Sequence, residues 1–406
     1  MIAINAGTLI DGTGAAHSGM VVLVEGERIT AVGKAEALPI PPTAQLFDAS
    51  GQTVLPGMVD AHLHLMGDGD PEWAWAAQSV SDSLGTLALR SYVNARKNLE
   101  AGFTTLRDAG SRGFVDVALR DAINAGWLMG PRLKVAGEPL TPTGGHADPT
   151  KGLAPGVAVG YLSGVCDSAD EARRATRYQI KMGADFIKIS ASLSAERQEM
   201  SFAMMQAICE VAHWAGRRVA AHCSGGQAVT DALQAGVDSL EHGRFLSDEQ
   251  LAFMADKGVY LVPTLAPEGR AMQYGQKALG YSDGSWQWMV MANEKMYDTV
   301  ARAHRAGVRV ATGSDAIMAA VRHGENAYEI ELLTKAGFSP MEAIEAATRV
   351  GAEALGMADE VGTVEPGKFA DLVVVDGDPL ADIRLLQNHA KIRWVFKGGA
   401  VAVSRP

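Results

Sequence analysis

Only three cysteines, Cys166, Cys209 and Cys223, occur in the 406 residues, and their scattered, odd-numbered placement excludes a disulfide framework. A reducing compartment fits, so the expected location is cytoplasmic. No apolar run approaches the length of a membrane span, and Met1 to Gly12 carries neither a basic n-region nor a long apolar h-region. That stretch reads instead as the first strand of the fold. Runs of Lys or Arg are missing too, and acidic residues outnumber basic ones 47 to 36, a net charge of −11. This balance argues against nucleic-acid and membrane partners and leaves a small molecule as the expected one. Charged residues make up only 20% of the chain against 47% hydrophobic, enough for a core larger than one average domain provides.

What the chain does have is histidine in telling places. His62 and His64 lie one residue apart in Met58-Val59-Asp60-Ala61-His62-Leu63-His64-Leu65, an apolar, β-branched stretch that follows the Pro56-Gly57 break. On a strand, side chains two apart leave by the same face. Two imidazoles held together in a dry interior are costly unless something binds both, and a divalent metal is the commonest answer. Ten histidines placed at random give about a quarter of such a pair per chain, so the pair alone is also compatible with a satisfied core. Further candidates lie downstream on strand-like runs. Arg218 to His222 ends in a histidine, Asp238 to Gly243 carries His242 next to its end, and Arg309 to Asp315 ends in a carboxylate. Lys188 stands between Ile187 and Ile189, where an unpaired ammonium should not sit.

These segments alternate with helical patterns, as repeated βα units require. Barrel strands are expected at 58–64, 104–108, 132–137, 186–190, 218–222, 239–243, 260–265 and 309–315. Helices are expected at 170–182, 202–215, 227–235, 247–257 and 293–306. Gly183, Gly216, Gly236, Gly258 and Gly307 each stand where a helix hands over to the next strand, and Ser247 with Gln250 reads as a capping box. Both ends of the chain are β-rich. The expected architecture is therefore α/β: a (β/α)8 TIM barrel over 57–360, with a small β-sandwich formed by 1–56 and 361–406. Two long stretches, 138–165 and 266–288, leave the C-terminal face of the barrel and are expected to be loops acting as lids.

Taken together, Pro56-Gly57-Met58-Val59-Asp60-Ala61-His62-Leu63-His64, Phe186-Ile187-Lys188-Ile189, Ala221-His222, Glu241-His242-Gly243 and Gly313-Ser314-Asp315 resemble the amidohydrolase superfamily of binuclear metal-dependent hydrolases. Thr104 to Gly110, Thr143-Gly144-Gly145-His146 and Leu261-Val262-Pro263-Thr264-Leu265 resemble its prolidase-like branch, whose members cleave dipeptides, N-acyl amino acids and related amides such as ochratoxin. The resemblance implies two divalent metal ions, zinc foremost. His62, His64 and Asp315 would hold one and His222 and His242 the other, with carboxylated Lys188 as the bridge. Burial favours the neutral lysine amine, which can add CO2, and the anion so formed offsets metal charge that neutral imidazoles cannot. The implied reaction is amide hydrolysis by a metal-bridging hydroxide, with Asp315 as proton shuttle and His146 contacting the carbonyl oxygen. A homo-oligomer is also implied.

Other residues carry weaker expectations. His323, with Arg322, is a candidate substrate contact or a helix-start residue. Glu241 is expected to point away from His242 and to play a supporting part. His213 and His304 read as structural or surface residues, His17 and His389 as part of the terminal domain, and Cys223 as facing away from the metals. Where prolidase-like relatives offer an aromatic for a substrate carboxylate, this chain has Cys223-Ser224-Gly225-Gly226-Gln227. Hydrolysis of a urea, a carbamate, a cyclic amide or a phosphotriester on the same centre therefore stays open, as does a metal-binding barrel without turnover.

Overall fold

The computed structural model describes residues 1–69, 81–154, 163–317 and 321–405. Both ends of the chain meet in one seven-stranded sheet. The strands are β1 (Ile2–Ile10), β2 (Ala16–Glu25), β3 (Arg28–Lys34), β4 (Gln45–Pro56), β12 (Leu372–Val375), β13 (Ile392–Lys397) and β14 (Ala400–Ser404), in the order β14-β13-β12-β4-β1-β2-β3. Only β1 and β4 run parallel; the other neighbours are antiparallel. The period of two assigns each face its own core. Val54, Leu372 and Val374 pack with Ile4, Val22 and Phe396, while Leu55, Val373 and Val375 turn toward the main core of the molecule. β4 runs unbroken for 12 residues and pairs with β1 on both sides of one irregularity at Ala6/Thr8.

From β4 the chain passes through Gly57 straight into β5 (Met58–Leu63). A Cβ on Gly57 would lie 2.0 Å from Thr104 Oγ1, so only glycine allows this approach to β6 (Phe103–Asp108). β5, β6 and β7 (Arg132–Val135) form one parallel sheet. β8 (Phe186–Ser190), β9 (Arg218–Gly225), β10 (Ser239–Phe245) and β11 (Tyr260–Val262) form another. Backbone hydrogen bonds connect the two at both edges. Leu140 N donates to Lys188 O and Ser190 N to Leu140 O; on the other side Ala311 N donates to Leu261 O and Ala61 N to Thr312 O. The segment expected as the strand 309–315 is reduced to a single bridge at Val310, since Thr312 N turns aside to Ala346 O.

Helices follow the strands. The expected helix 227–235 is found over those residues, and 170–182, 202–215 and 247–257 are found within one residue at each end. Ser247 and Gln250 make both halves of the capping box, and all five helix-end glycines have positive φ. The stretch 266–288 is not a structureless lid. It holds the helix Ala266–Tyr274 and the start of a 23-residue helix, Asp283–Arg305, which also absorbs the expected helix at 293–306. Of the expected loop 138–165, residues 155–162 lie outside the described residues. Among the described residues, no helix is long and apolar enough to cross a membrane.

Candidate metal centre and active site

The strand ends bring His62, His64, Lys188, His222, His242 and Asp315 to the floor of one cavity of about 430 Å³. His62 Nε2 lies 3.2 Å from Lys188 Nζ and 3.7 Å from Asp315 Oδ1, and His64 Nε2 lies 3.6 Å from the same Asp315 oxygen. His242 Nε2 and His222 Nδ1 are 2.8 Å apart, and His242 Nδ1 is 4.0 Å from Asp315 Oδ2. Ligand atoms of His62, His242 and Asp315 all lie within 4.8 Å of one another.

Local backbone geometry aims these groups. His242 (φ 70°) and Asp315 (φ 48°) both occupy the left-handed region, at a cost of about 1–3 kcal/mol each. At His242 the distortion coincides with a register shift between β9 and β10, which turns the imidazole inward, where its Nδ1 meets Thr264 Oγ1 at 2.7 Å. Asp315 is fixed from below. Asp60 accepts hydrogen bonds from His62 N, Ser314 N and Asn326 Nδ2, tying the strand of the first two histidines to the turn that carries Asp315.

The donor set fits divalent metal. Burial keeps all four imidazoles below their ordinary pKa, His64 at about 4, so each is neutral near pH 7 and offers a lone pair. His62 Nδ1 is engaged by Glu241 Oε2 at 2.5 Å and His64 Nδ1 by Gly110 O at 3.0 Å. Both pairings fix the tautomer and leave Nε2 unprotonated toward the cluster, as metal-binding histidines require. Burial also brings the Lys188 ammonium down to about 8 and raises Asp315 to about 7. A neutral amine and a carboxyl that titrates near neutrality are therefore both available.

His146 closes one side of the cluster, its ring 3.9 Å from that of His222, and lines the cavity. Its Nδ1 and backbone N both contact Glu199 Oε2, at 2.8 and 3.1 Å. Glu241 is directed toward His62, whose Nδ1 it meets. His323 is placed elsewhere than the cavity expected for it. It is buried, with Nε2 on Gly67 O at 2.9 Å and Nδ1 on Asn98, so it pins the turn after His64 rather than meeting a substrate. Cys223 is buried against Ser192, and His213 and His304 pair with Asp238 and Glu342.

Several residues of the site escape the sequence. Arg107 lies in a wholly buried strand, where it grips Glu241 Oε1 at 2.7 Å. Glu199, Arg244 and Glu268 are missed as well; Arg244 and Glu268 line the cavity together with Trp288 and Tyr281. The remaining walls are largely apolar, with Met66, Pro139, Leu193 and Ile317 among them.

The chain as a whole is similar to known proteins. Ochratoxinase from Aspergillus niger is 29% identical over 98% of this chain and 85% of its own length. A crystal structure of a Xaa-Pro dipeptidase with methionine bound in its active site has a TM-score of 0.89 and 32% identity, covering 98% of this chain and 99% of that one. A prolidase complexed with N-methylphosphonate-L-proline has a TM-score of 0.88 and 28% identity, with complete coverage of both chains (100% each). Residues 53–402 match the amidohydrolase family, whose members generally use divalent metal ions. The chain belongs to that family, in its prolidase- and ochratoxinase-like branch, and is a hydrolase of C–N bonds.

Proposed function

We propose that the chain cleaves the amide bond of a dipeptide or N-acyl amino acid at a centre of two divalent ions, zinc foremost. His62, His64, Lys188, His222, His242 and Asp315 would hold them, with Lys188 carboxylated as the bridge. The observation that carries this reading is the convergence of four neutral imidazoles with Lys188 and Asp315 on one cavity floor. The architecture that delivers them is a closed (β/α)8 barrel over 57–360, flanked by a β-sandwich of 1–56 and 361–406. The backbone hydrogen bonds at both edges of the parallel sheets support closure.

When bound, such a metal pair supplies an activated water and a Lewis acid for the substrate carbonyl. The chain's own residues do the rest. Asp315, a buried carboxylate beside His62 and His64, takes a proton at Oδ and returns it to the leaving nitrogen. His146, held at Nδ1 by Glu199, presents Nε2 to donate to the carbonyl oxygen as charge develops there. The apolar walls exclude water and seat the hydrocarbon parts of the substrate.

Metal analysis of the purified protein, coupled to hydrolysis of an N-acyl amino acid and dipeptide library, tests this reading. Two metals per chain and release of free amino acid from several members are expected. Two bound metals with no amine released from any member would contradict it and favour a urea, carbamate or ester.

A further inference from the structure

Arg244 leaves the end of β10 two residues after His242 and lines the cavity above the cluster. Its side chain is 11% exposed, and its Nε and Nη2 both lie 2.7 Å from a single oxygen, Oε1 of Glu268. Glu268 is 2% exposed, and its second oxygen, Oε2, has no hydrogen-bond partner among the described residues. On the other edge of the guanidinium, Nη1 has only a long 3.4 Å contact with Ser224 Oγ. The Trp288 ring stands 5.9 Å from the guanidinium carbon.

A cation so placed is unfavourable for the fold by itself. It is largely out of water, and it stands beside a cluster built to hold positive ions. One Glu268 oxygen compensates it on the Nε/Nη2 edge and fixes the plane of the guanidinium. The Nη1/Nη2 edge is left as a planar pair of donors, the geometry that suits a carboxylate bidentately.

We propose that Arg244, braced by Glu268, binds a carboxylate carried by the substrate next to the scissile amide. Specificity for free N-acyl amino acids over their neutral carboxamides then resides in Arg244. This rests on the hydrolytic reading above and names the residue that selects its substrates. Arg244 acts in binding, so its loss changes KM for the carboxylate substrate more than kcat.

The test compares N-benzoyl-L-phenylalanine with its C-terminal carboxamide as substrates of the metal-loaded protein. In parallel, calorimetry compares binding of L-phenylalanine with that of L-phenylalaninamide. The wild type should favour the carboxylate in both assays by about tenfold or more, the worth of a charge-assisted hydrogen bond. In R244M that ratio should fall toward one. Because R244M leaves Glu268 buried without its partner, the double variant R244M/E268M, which removes both charges, should show the same collapse. A ratio near one in the wild type, or a ratio preserved in both variants, overturns the inference. If neither compound is hydrolysed while the calorimetric preference and its loss in the variants persist, hydrolysis of this class is contradicted and carboxylate binding by Arg244 stands.

Discussion

His62 Nδ1 lies 2.5 Å from Oε2 of Glu241, a carboxylate whose other oxygen holds Arg107 at 2.7 Å and Ser239 Oγ at 2.6 Å. Arg107 in turn donates from Nε to Ala61 O, the residue before His62. The ring is therefore held from behind by a buried, fully engaged carboxylate, and its Nε2 has one direction open to it.

This predicts what E241Q does. The amide keeps the shape of the side chain but weakens the grip on His62 and on Arg107. Metal affinity should fall about 10- to 100-fold, as for other residues that orient a metal-binding histidine. Chelator competition measures it. Unchanged affinity in a folded E241Q would mean that the His62 orientation is set elsewhere.

Lys188 gives a pH dependence. Burial lowers its pKa from 10.5 to about 8, so the neutral amine gains population as pH rises through 8. Carboxylation consumes that neutral form. Reactivation of metal-stripped protein with metal should therefore need dissolved CO2 and, at equal CO2 concentration, proceed faster at pH 8.5 than at pH 7, to an extent of about tenfold. Equal reactivation in CO2-depleted buffer at both pH values would count against the bridging role.

The pair of His146 and Glu199 predicts an ordering. If Glu199 acts through the ring, E199Q should lower kcat less than H146A does, and the double variant should be no worse than H146A alone. Steady-state kinetics of the three variants decides. Additive losses would assign Glu199 a separate task.

Away from the centre, Asp116 sits buried between two backbone donors, Val117 N at 2.9 Å and Gly137 N at 2.8 Å. Burial raises its pKa from 3.8 to about 6, and burial together with the neighbouring Asp116 also pushes Asp108 well above its ordinary value. A group whose folded pKa is raised stabilises the fold fully below its unfolded pKa and loses that contribution as pH rises through the folded value. Asp116 therefore contributes a loss of stability between about pH 4 and pH 7, opposed over the same window by the buried neutral histidines, so D116N should make the slope of the denaturation midpoint against pH more positive even if its absolute stability is lower. A slope unchanged in D116N would place the titration elsewhere.

Much of the site is legible in the sequence because strands expose it. The period of two puts His62 and His64 on one face, and Lys188 is conspicuous as a lone cation among isoleucines. Legibility ends where the strand geometry does. Arg244 lies past the distortion at His242 and Gly243, where alternation no longer tells which way a side chain points. The helix Leu84–Glu100 escapes because its buried face carries Ser91, Asn94 and Asn98, which break the apolar period: Ser91 bonds back to Leu87 O, Asn94 holds backbone atoms of the turn after His64, and Asn98 holds the ring of His323. Those same long-range partners explain why His323 reads as a pocket residue from the sequence. The helix Ala266–Tyr274 is hidden by Pro267 and Gly269, which suggest a loop until the proline is seen in the first turn.

The most direct measurement is anomalous X-ray diffraction from crystals grown with zinc and bicarbonate. Two peaks among His62, His64, His222, His242 and Asp315, with electron density extending beyond Lys188 Nζ to a group that touches both, are the expected result. A single peak, or Lys188 turned away from an otherwise filled centre, would contradict the two-metal account.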